Sequence, residues 1–197
     1  MPNAPHIVGL GGTTRAGSST ERALRYALGV CERTGATSTV FGGPELATLA
    51  VYAPERLERA ELAVRFVEEL RRADGVVLAS PSYHGSVSGL VKNALDYTED
   101  MRDDARVYFA NRAVGCIATG AGWQGVASTL AALRDIVHAL RGWPTPMGVT
   151  LNTSTPIFDG DEPSDERARF QLETMAHEIV SFARRTLNDL EPAGPPA

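Results

Sequence analysis

A glycine- and hydroxyl-rich stretch near the start of the chain has the residue types that bind an anion. It runs Gly12-Thr13-Thr14-Arg15-Ala16-Gly17-Ser18-Ser19-Thr20, after a short apolar run and before a segment of helical spacing. Backbone N–H groups turned inward at the glycines, the hydroxyls, the helix N-terminus and the Arg15 guanidinium would all favour a phosphate. The alternative is an ordinary strand-to-helix turn capped by Ser18 or Ser19, because Gly, Ser and Thr favour such turns in any case.

The known phosphate fingerprints do not fit this first loop. Gly12 and Gly17 have the glycine spacing of a Walker A loop, but Ser18 and Ser19 stand where that loop needs Lys and Ser or Thr. The pair Gly9-x-Gly11 begins like a dinucleotide fingerprint, which then lacks its third glycine. The stretch therefore predicts an anion site without naming the anion.

The elements around this loop predict an α/β protein. Apolar or β-branched runs at 6–10, 37–41, 76–79, 113–118 and 147–151 predict five strands. Helical spacing at 21–28, 55–72, 90–97, 130–140 and 166–190 predicts five helices, the second opened by Pro54, whereas 45–52 is predicted to be irregular. The alternation indicates a doubly wound, five-stranded parallel sheet with helices on both faces, for which we take the strand order 2-1-3-4-5.

Two further loops carry chemistry-bearing residues, at 80–89 and at 119–125. With the first loop, they follow the first, third and fourth predicted strands. In a 2-1-3-4-5 sheet, those strand ends meet at the carboxyl edge, around the switch point between the first and third strands. The three loops are therefore expected to line one crevice, which is stronger evidence of binding than any loop alone.

Two motif matches point to other chemistries. Gly120-x-Gly122-x-x-Gly125 fits the dinucleotide fingerprint, but it follows the fourth strand instead of the first, and no acidic residue stands about 20 residues further on. Its glycines are expected to let the backbone approach a flat ligand. The stretch 85–89 resembles the nucleophile elbow of a Ser-His-acid hydrolase, but Val87 occupies the serine position.

Composition narrows the class of protein. The 197 residues predict one domain over 1–190 and a disordered tail over 191–197. A net charge of -5 argues against nucleic-acid or anionic-membrane partners, and no apolar run or leader indicates a membrane or secretion, so the expected location is the cytoplasm. Cys31 and Cys116 are expected to be small buried side chains, and neither they nor the four histidines have metal-ligand spacing.

Taken together, the loops make the chain resemble the NAD(P)H-dependent FMN reductase family of flavodoxin-like proteins. The family's first signature, G-S-x-R-x-x-S-x-N, corresponds to Gly12 through Thr20. Its second, P-x-Y-N-G-S followed by G-x-L-K-N-A-x-D-W, stands as Pro81-Ser82-Tyr83-His84-Gly85-Ser86 and then Gly89-Leu90-Val91-Lys92-Asn93-Ala94-Leu95-Asp96-Tyr97. The third is the glycine-rich turn at 119–125. Thr13, Thr20 and His84 depart from the commoner Ser, Asn and Asn.

The resemblance implies an FMN site at the three loops. Its cofactor-binding residues would be, for the phosphate, Thr13, Arg15, Ser18, Ser19 and Thr20; for the ribityl chain and ring, Pro81, Ser82, Tyr83, His84 and Gly85; and for the pyrimidine edge, Thr119, Gly120, Gly122 and Trp123. No side chain would act as catalytic acid or base, because hydride passes between nicotinamide and flavin N5.

The resemblance also implies an activity and partners. The expected protein is an FMN-dependent NAD(P)H oxidoreductase, with NADPH or NADH as donor and free flavin, a quinone or a related small molecule as acceptor. A flavin-dependent oxygenase would be a partner if reduced flavin is released, and the family leads us to expect a homodimer or homotetramer. The alternative is a flavin-binding redox sensor or electron carrier without turnover.

Overall fold

The computed structural model describes residues 4–190, and the predicted tail at 191–197 lies outside the described residues. Its sheet contains β1 (His6–Gly11), β2 (Thr37–Gly42), β3 (Gly75–Tyr83), β5 (Ala113–Gly120), β6 (Trp143–Pro144) and β7 (Val149–Asn152). These strands are parallel, in the order β2-β1-β3-β5, with β6 and β7 both paired to β5. The flavodoxin-like prediction is confirmed.

The last strand differs from the prediction because it consists of two pieces. Trp143 and Pro144 of β6 pair with the beginning of β5, and β7 pairs with its end from Ile117 to Gly120. Short antiparallel strands complete the set: β4 (Ser86–Val87) pairs with the end of β3, and β8 (Phe158–Asp159) pairs with β9 (Glu162–Pro163).

Within residues 4–190, six α-helices cover the sheet, and a 3₁₀ turn follows the fourth. They are α1 (Ser19–Arg33), α2 (Gly43–Leu46), α3 (Glu61–Arg72), α4 (Gly89–Asp96), α5 (Trp123–Ala139) and α6 (Glu166–Leu190), with the 3₁₀ turn at Tyr97–Met101. Within the described residues, no helix is long and apolar enough to cross a membrane.

Two apolar cores lie on the two faces of the sheet. One contains buried residues of α1 and α6, and the other contains buried residues of α2, α3, α4 and α5. On the first face, glycines let the helices approach the strands closely. A Cβ built on Gly9 would lie 2.6 Å from Leu28 Cδ1, and one on Gly75 would lie 2.6 Å from Ile179 Cγ2. Both faces are therefore covered, as expected for a doubly wound sheet.

The prediction of a helix over 55–72 was wrong for its first third, since α3 begins only at Glu61. The preceding segment is held to the 3₁₀ turn through Arg59, whose Nε and Nη2 donate to the two carboxylate oxygens of Asp100 at 2.7 and 2.8 Å. The Arg59 guanidinium also lies over the rings of Tyr52 and Tyr97, at 4.9 and 5.7 Å from their centroids. These tertiary contacts override the helical propensity of the segment.

The segment predicted to be irregular at 45–52 overlaps a helix at its start, because α2 covers Gly43–Leu46. Gly42 is the residue before this helix, and Pro44 lies in its first turn, where a missing N–H costs nothing. The remainder of that segment is irregular, as expected.

Candidate functional site

The three predicted loops leave adjacent strands at one edge of the sheet. The pairing register sets Gly11 beside Ala79 and Pro81 beside Thr119, so β1, β3 and β5 reach that edge together. The N–H of Gly12 donates to the carbonyl of Ala79 over 3.1 Å. The hydroxyls of Thr20 and Thr119, from the first and third loops, share a hydrogen bond of 2.6 Å. The structure thus brings the first and third loops into contact, on either side of β3.

The first loop is folded by its own hydrogen bonds. Thr13 Oγ1 accepts from the backbone N–H of Arg15 at 3.3 Å and donates to the carbonyl of Arg15 at 3.1 Å. Ser18 is the N-cap of α1, and its Oγ accepts from the N–H of Glu21 at 3.3 Å. Because α1 begins at Ser19, the first N–H groups of the helix have no acceptor within the helix. They form the positive end at which an anion would bind.

Glycines shape the turn between β1 and the loop. Gly11 has φ +142°, and a Cβ there would lie 1.9 Å from the carbonyl oxygen of Ala79. Gly17 has φ +67° with open space around it, which only glycine adopts without strain. A side chain at Gly11 would push the loop away from β3, so this residue type is required at that position.

A carboxylate lies inside the first loop. One oxygen of Glu21 accepts from the backbone N–H of Gly17 at 2.9 Å, and the other accepts from Nε of Arg25 at 2.9 Å. The Glu21 side chain is only 9% exposed. The backbone N–H of Gly17 is therefore already hydrogen-bonded to the negatively charged Glu21 carboxylate. This charge lowers the affinity of the loop for an anion bound beside it. Sequence reasoning missed this residue, although Ser18-x-x-Glu21 has the spacing of a capping box.

The second predicted loop is a β-hairpin. Ser82 pairs with Val87 and Tyr83 with Ser86, so Pro81, Ser82 and Tyr83 belong to β3, which the sequence had predicted to end at Ala79. His84 and Gly85 form the turn with φ +54° and φ +77°. Positive φ at both central residues is the geometry of a type I′ turn, in which Asn-Gly is the favoured pair. His84 and Gly85 therefore form the turn of the hairpin, and they are also candidate contacts for a ligand.

Two buried serines hold this hairpin in place. Ser80 Oγ donates to the carbonyl of Pro81 at 2.9 Å and accepts from the N–H of Ser88 at 3.0 Å. Ser88 is the N-cap of α4, and its Oγ accepts from the N–H of Val91 at 3.3 Å. Neither serine was predicted to have a role. The N-cap signal of Ser88 before an apolar helical segment could have indicated one of them.

The third predicted loop is much shorter than 119–125, because β5 runs to Gly120 and α5 begins at Trp123. The expected helix at 130–140 therefore starts seven residues earlier. A Cβ on Gly120 would lie 3.1 Å from Ser82 Cβ, and one on Gly125 would lie 2.9 Å from Ser82 Oγ. These two glycines let β5 and α5 pack closely against Ser82, whereas Gly122 has open space around it. Among Gly120, Gly122 and Gly125, Gly122 is therefore the glycine whose backbone faces open space.

The predicted site residues differ in accessibility. The side chains of Ser18, Thr20, Pro81 and Thr119 are buried, and they position the loops. Ser82 is partly buried and its Oγ accepts from Thr129 Oγ1 at 2.9 Å. The accessible residues, which a ligand could reach, are Thr13, Arg15, Ser19, Tyr83, His84, Gly85, Gly120, Gly122 and Trp123.

The two cysteines and the possible metal ligands were also located among the described residues. Cys31 and Cys116 are free and buried, as expected, and burial raises the pKa of both thiols to about 12. Thiols with such a pKa stay protonated and unreactive at neutral pH. Among residues 4–190, no three His, Cys, Asp or Glu side chains are grouped as metal ligands. A cleft of about 630 Å³ lies between β6 and α6, beside the first residue of β5, and contains none of the predicted site residues.

These features define a flavodoxin-like protein whose candidate site lies at the switch point of a parallel sheet. The family model described as NADPH-dependent FMN reductase matches residues 5–155, and the chain belongs to that family of oxidoreductases. The cofactors in the family's description, FMN and NADPH, agree with the FMN and the NADPH or NADH that the resemblance implies.

Comparison with individual proteins is consistent with membership of this family. The chain is 32% identical over 124 residues to an FMN-dependent NADPH-azoreductase of Staphylococcus haemolyticus, a match that covers 61% of this chain and 62% of that protein. In fold it is similar to FerB, a flavoenzyme NAD(P)H:(acceptor) oxidoreductase of Paracoccus denitrificans, with 19% identity, a TM-score of 0.74 and coverage of 93% and 99%. A WrbA-like flavodoxin protein of Agrobacterium tumefaciens is similar at 15% identity and a TM-score of 0.64, with coverage of 93% and 99%.

The residues at the loops fit a phosphate-bearing flavin. The open Gly17, the first N–H groups of α1 and the accessible Arg15 suit the phosphate. Tyr83, 55% exposed, and the open Gly85 and Gly122 leave room for a flat ring beside the backbone. The one opposing feature is the carboxylate of Glu21.

Proposed function

We propose that this protein is an FMN-dependent NAD(P)H oxidoreductase that reduces a small acceptor such as a quinone, free flavin or an azo compound. The observation that carries the proposal is the meeting of the three loops at one sheet edge, with the Thr20–Thr119 hydrogen bond between two of them. In such an enzyme NAD(P)H, a proton and an oxidised acceptor become NAD(P)⁺ and the acceptor reduced by two electrons. The name of the staphylococcal relative, an azoreductase, supports an azo compound as acceptor.

Each loop has a distinct role in this proposal. Arg15 and the N–H groups of Ser19 and Thr20 bind the phosphate of FMN, while Thr13 and Ser18 keep the loop folded. The hairpin from Pro81 to Gly85 lies along the ring, with Tyr83 beside it. The backbone of Thr119, Gly120 and Gly122 borders the pyrimidine edge. When bound, FMN supplies the hydride acceptor at N5, and the protein supplies orientation and an open ring face.

Assembly and partners are also part of the proposal. We infer a homodimer or homotetramer, supported by the exposed apolar side chains of Val51 and Leu57, which are 83% and 90% accessible in the single chain. If the acceptor is free flavin, a flavin-dependent oxygenase would consume the reduced product. A cytoplasmic location is consistent with these roles.

Steady-state turnover tests the proposed function. Purified protein with added FMN should oxidise NADPH or NADH continuously when menadione is present, and the rate should depend on the concentration of menadione. An electron carrier or a redox sensor would bind flavin but would oxidise at most about one equivalent of NAD(P)H. Flavin binding without sustained turnover would therefore contradict the enzyme proposal and favour the sensor or carrier.

A further inference from the structure

The cleft between β6 and α6 lies away from the edge of the sheet where the three loops meet. It has a volume of about 630 Å³ and reaches Ala113, the first residue of β5, whereas the candidate flavin site lies at the other end of that strand. At about 3.3 Å per residue, β5 spans about 23 Å from Ala113 to Gly120. Volumes of about 300–1,000 Å³ are typical of sites that bind small molecules. The cleft is therefore a candidate binding site that is separate from the flavin site.

The cleft has two aromatic side chains on its wall. The rings of Trp143 and Phe182 have their centroids 6.3 Å apart and their planes tilted by 38°. Trp143 is 59% exposed, and Pro144 and Pro146 line the cleft beside it. Aromatic faces and edges attract another ring beyond what the buried area alone contributes. The wall thus fits a flat aromatic ligand.

An extended peptide does not fit this side of the sheet. β6 is the last strand in the order of the sheet, so its outer side is the place where a further strand would pair. Pro144 and Pro146 have no backbone N–H group to donate to such a strand. The cleft is therefore better suited to a small molecule than to an added strand.

A cation lies at one end of the aromatic wall. The Arg185 guanidinium lies 5.9 Å from the centroid of the Phe182 ring, and its Nη1 donates to Ser181 Oγ at 3.3 Å. Arg185 is exposed and lines the cleft. Among residues 4–190, no carboxylate is within ion-pair distance of it. The guanidinium can therefore bind an anionic group on a ring that packs against the wall.

The acidic group of the cleft lies towards its other end. Glu178 precedes Arg185 by two helical turns, about 10 Å, on the same face of α6. Its Oε2 accepts from the N–H of Met147 at 2.8 Å, which holds α6 to the segment between β6 and β7. His177, the remaining titratable side chain of the cleft, is exposed. Because Glu178 repels an anion and Arg185 attracts it, the two charges would orient a ligand along the cleft.

We propose that this cleft binds a flat aromatic carboxylate, with its ring against Trp143 and Phe182 and its carboxylate at Arg185. The ring supplies apolar contact, and the carboxylate supplies a charge-assisted hydrogen bond. A ligand in this place would contact both β6 and α6 and would not reach the flavin site. The inference therefore does not depend on the proposed function.

Isothermal titration with two ligands of nearly equal shape tests the site. Indole-3-acetate carries a carboxylate, which indole-3-acetamide replaces with a neutral amide. The protein should bind one indole-3-acetate per chain, with a Kd about 10-fold lower than that for the amide, because only the carboxylate forms a charge-assisted bond with Arg185. Adding FMN should change neither Kd. Competition between FMN and indole-3-acetate would place the ligand in the flavin site and overturn the proposal.

Three variants locate the bound ligand. Arg185→Gln should remove the difference between the two ligands, and Trp143→Ala should weaken the binding of both about 10-fold. Arg184→Gln is the matched control, because Arg184 donates to the carbonyl of Thr34 and does not line the cleft. It should change neither Kd, and thermal unfolding of each variant checks that it is folded.

Two results of these experiments would overturn the assignment. One is that neither ligand binds to the wild type, and the other is that Arg185→Gln and Arg184→Gln have equal effects. Analytical ultracentrifugation adds a third, namely a dimer that Trp143→Ala dissociates. A second copy of the chain, instead of a small molecule, would then cover the cleft.

Discussion

At the scale of single residues, the charges around the first loop would determine how tightly it binds the phosphate that we propose for it. Arg15 is accessible and cationic, whereas the buried carboxylate of Glu21 takes the N–H group of Gly17. A dianionic phosphate at the first turn of α1 would lie near both. The half-exposed Arg25 offsets the charge of Glu21 only in part. If this loop binds the FMN phosphate, the charge of Glu21 should weaken the binding.

The substitution Glu21→Gln tests this balance. Glutamine keeps an oxygen that accepts from Gly17 and removes the negative charge, so FMN should bind roughly 3- to 10-fold more tightly because repulsion is lost. Riboflavin, which has no phosphate, should bind as before. Isothermal titration with both flavins measures the change, and Glu32→Gln at the other end of α1 is the control. Weaker FMN binding by Glu21→Gln would mean that the carboxylate organises the loop more than it repels the ligand.

At the scale of the elements, the second loop shows what the sequence could and could not predict. Its position after a buried strand and before a helix was predicted correctly from the apolar run at 76–79 and the helical spacing that begins at Leu90. The hairpin of β3 and β4 was not predicted, because it is only two residue pairs long and its turn contains His84 instead of asparagine. Likewise, three glycines within 120–125 suggested a loop, although Gly125 is helical and packs against Ser82.

The hairpin turn gives a prediction for stability. Gly85 has φ +77° with nothing near a built Cβ, so Gly85→Ala should destabilise the protein by about 1–2 kcal/mol through backbone strain alone. Gly89 also has open space but no positive φ, and Gly89→Ala is therefore the matched control, expected to be neutral or stabilising. His84→Asn should be neutral or stabilising as well. Urea unfolding measures all three, and equal effects of the two alanines would rule out the turn geometry as the cause.

At the scale of the whole molecule, the fold was predictable because its determinants are local. Alternating apolar runs and helical patterns predicted a doubly wound parallel sheet, and the positions of the loops followed once the strand order 2-1-3-4-5 was taken. Contacts between distant segments were not predictable. Arg112 is fully buried and donates to the backbone carbonyls of Ala73 and Arg71 at 2.8 Å each, and nothing in its neighbourhood in sequence indicates this. The contacts of Arg59 were likewise not predictable from the neighbouring sequence, and they explain why α3 is shorter than predicted.

The Arg59–Asp100 contact gives a pH dependence for the stability of the whole chain. Hydrogen bonds from Arg59 hold the pKa of Asp100 below its usual value of 3.8. The unfolded chain therefore binds the proton more readily, so this contribution is present above about pH 4 and is lost as the pH falls through the lowered pKa. Asp100→Asn should cost about 1.5–3 kcal/mol at pH 7, and the difference from wild type should shrink towards pH 2.

Urea unfolding of wild type and Asp100→Asn between pH 7 and pH 2 measures this effect. Asp103→Asn, at a side chain that is 92% exposed and 3.7 Å from Arg102, is the control and should change stability little at any pH. A difference between wild type and Asp100→Asn that stays constant with pH would show that the charge of Asp100 is not what stabilises the contact.

The central claim is that the three loops form an FMN site whose first loop binds the phosphate, and one ratio tests it most directly. The measurement is the affinity for FMN divided by the affinity for riboflavin, obtained by flavin fluorescence quenching for wild type and Arg15→Ala. A charge-assisted bond to phosphate contributes about 1.5–3 kcal/mol, and the exposure of Arg15 favours the lower end. The ratio should therefore fall about 10-fold in Arg15→Ala, with riboflavin binding unchanged. An unchanged ratio would take Arg15 out of the site, and no binding of either flavin to wild type would contradict the account as a whole.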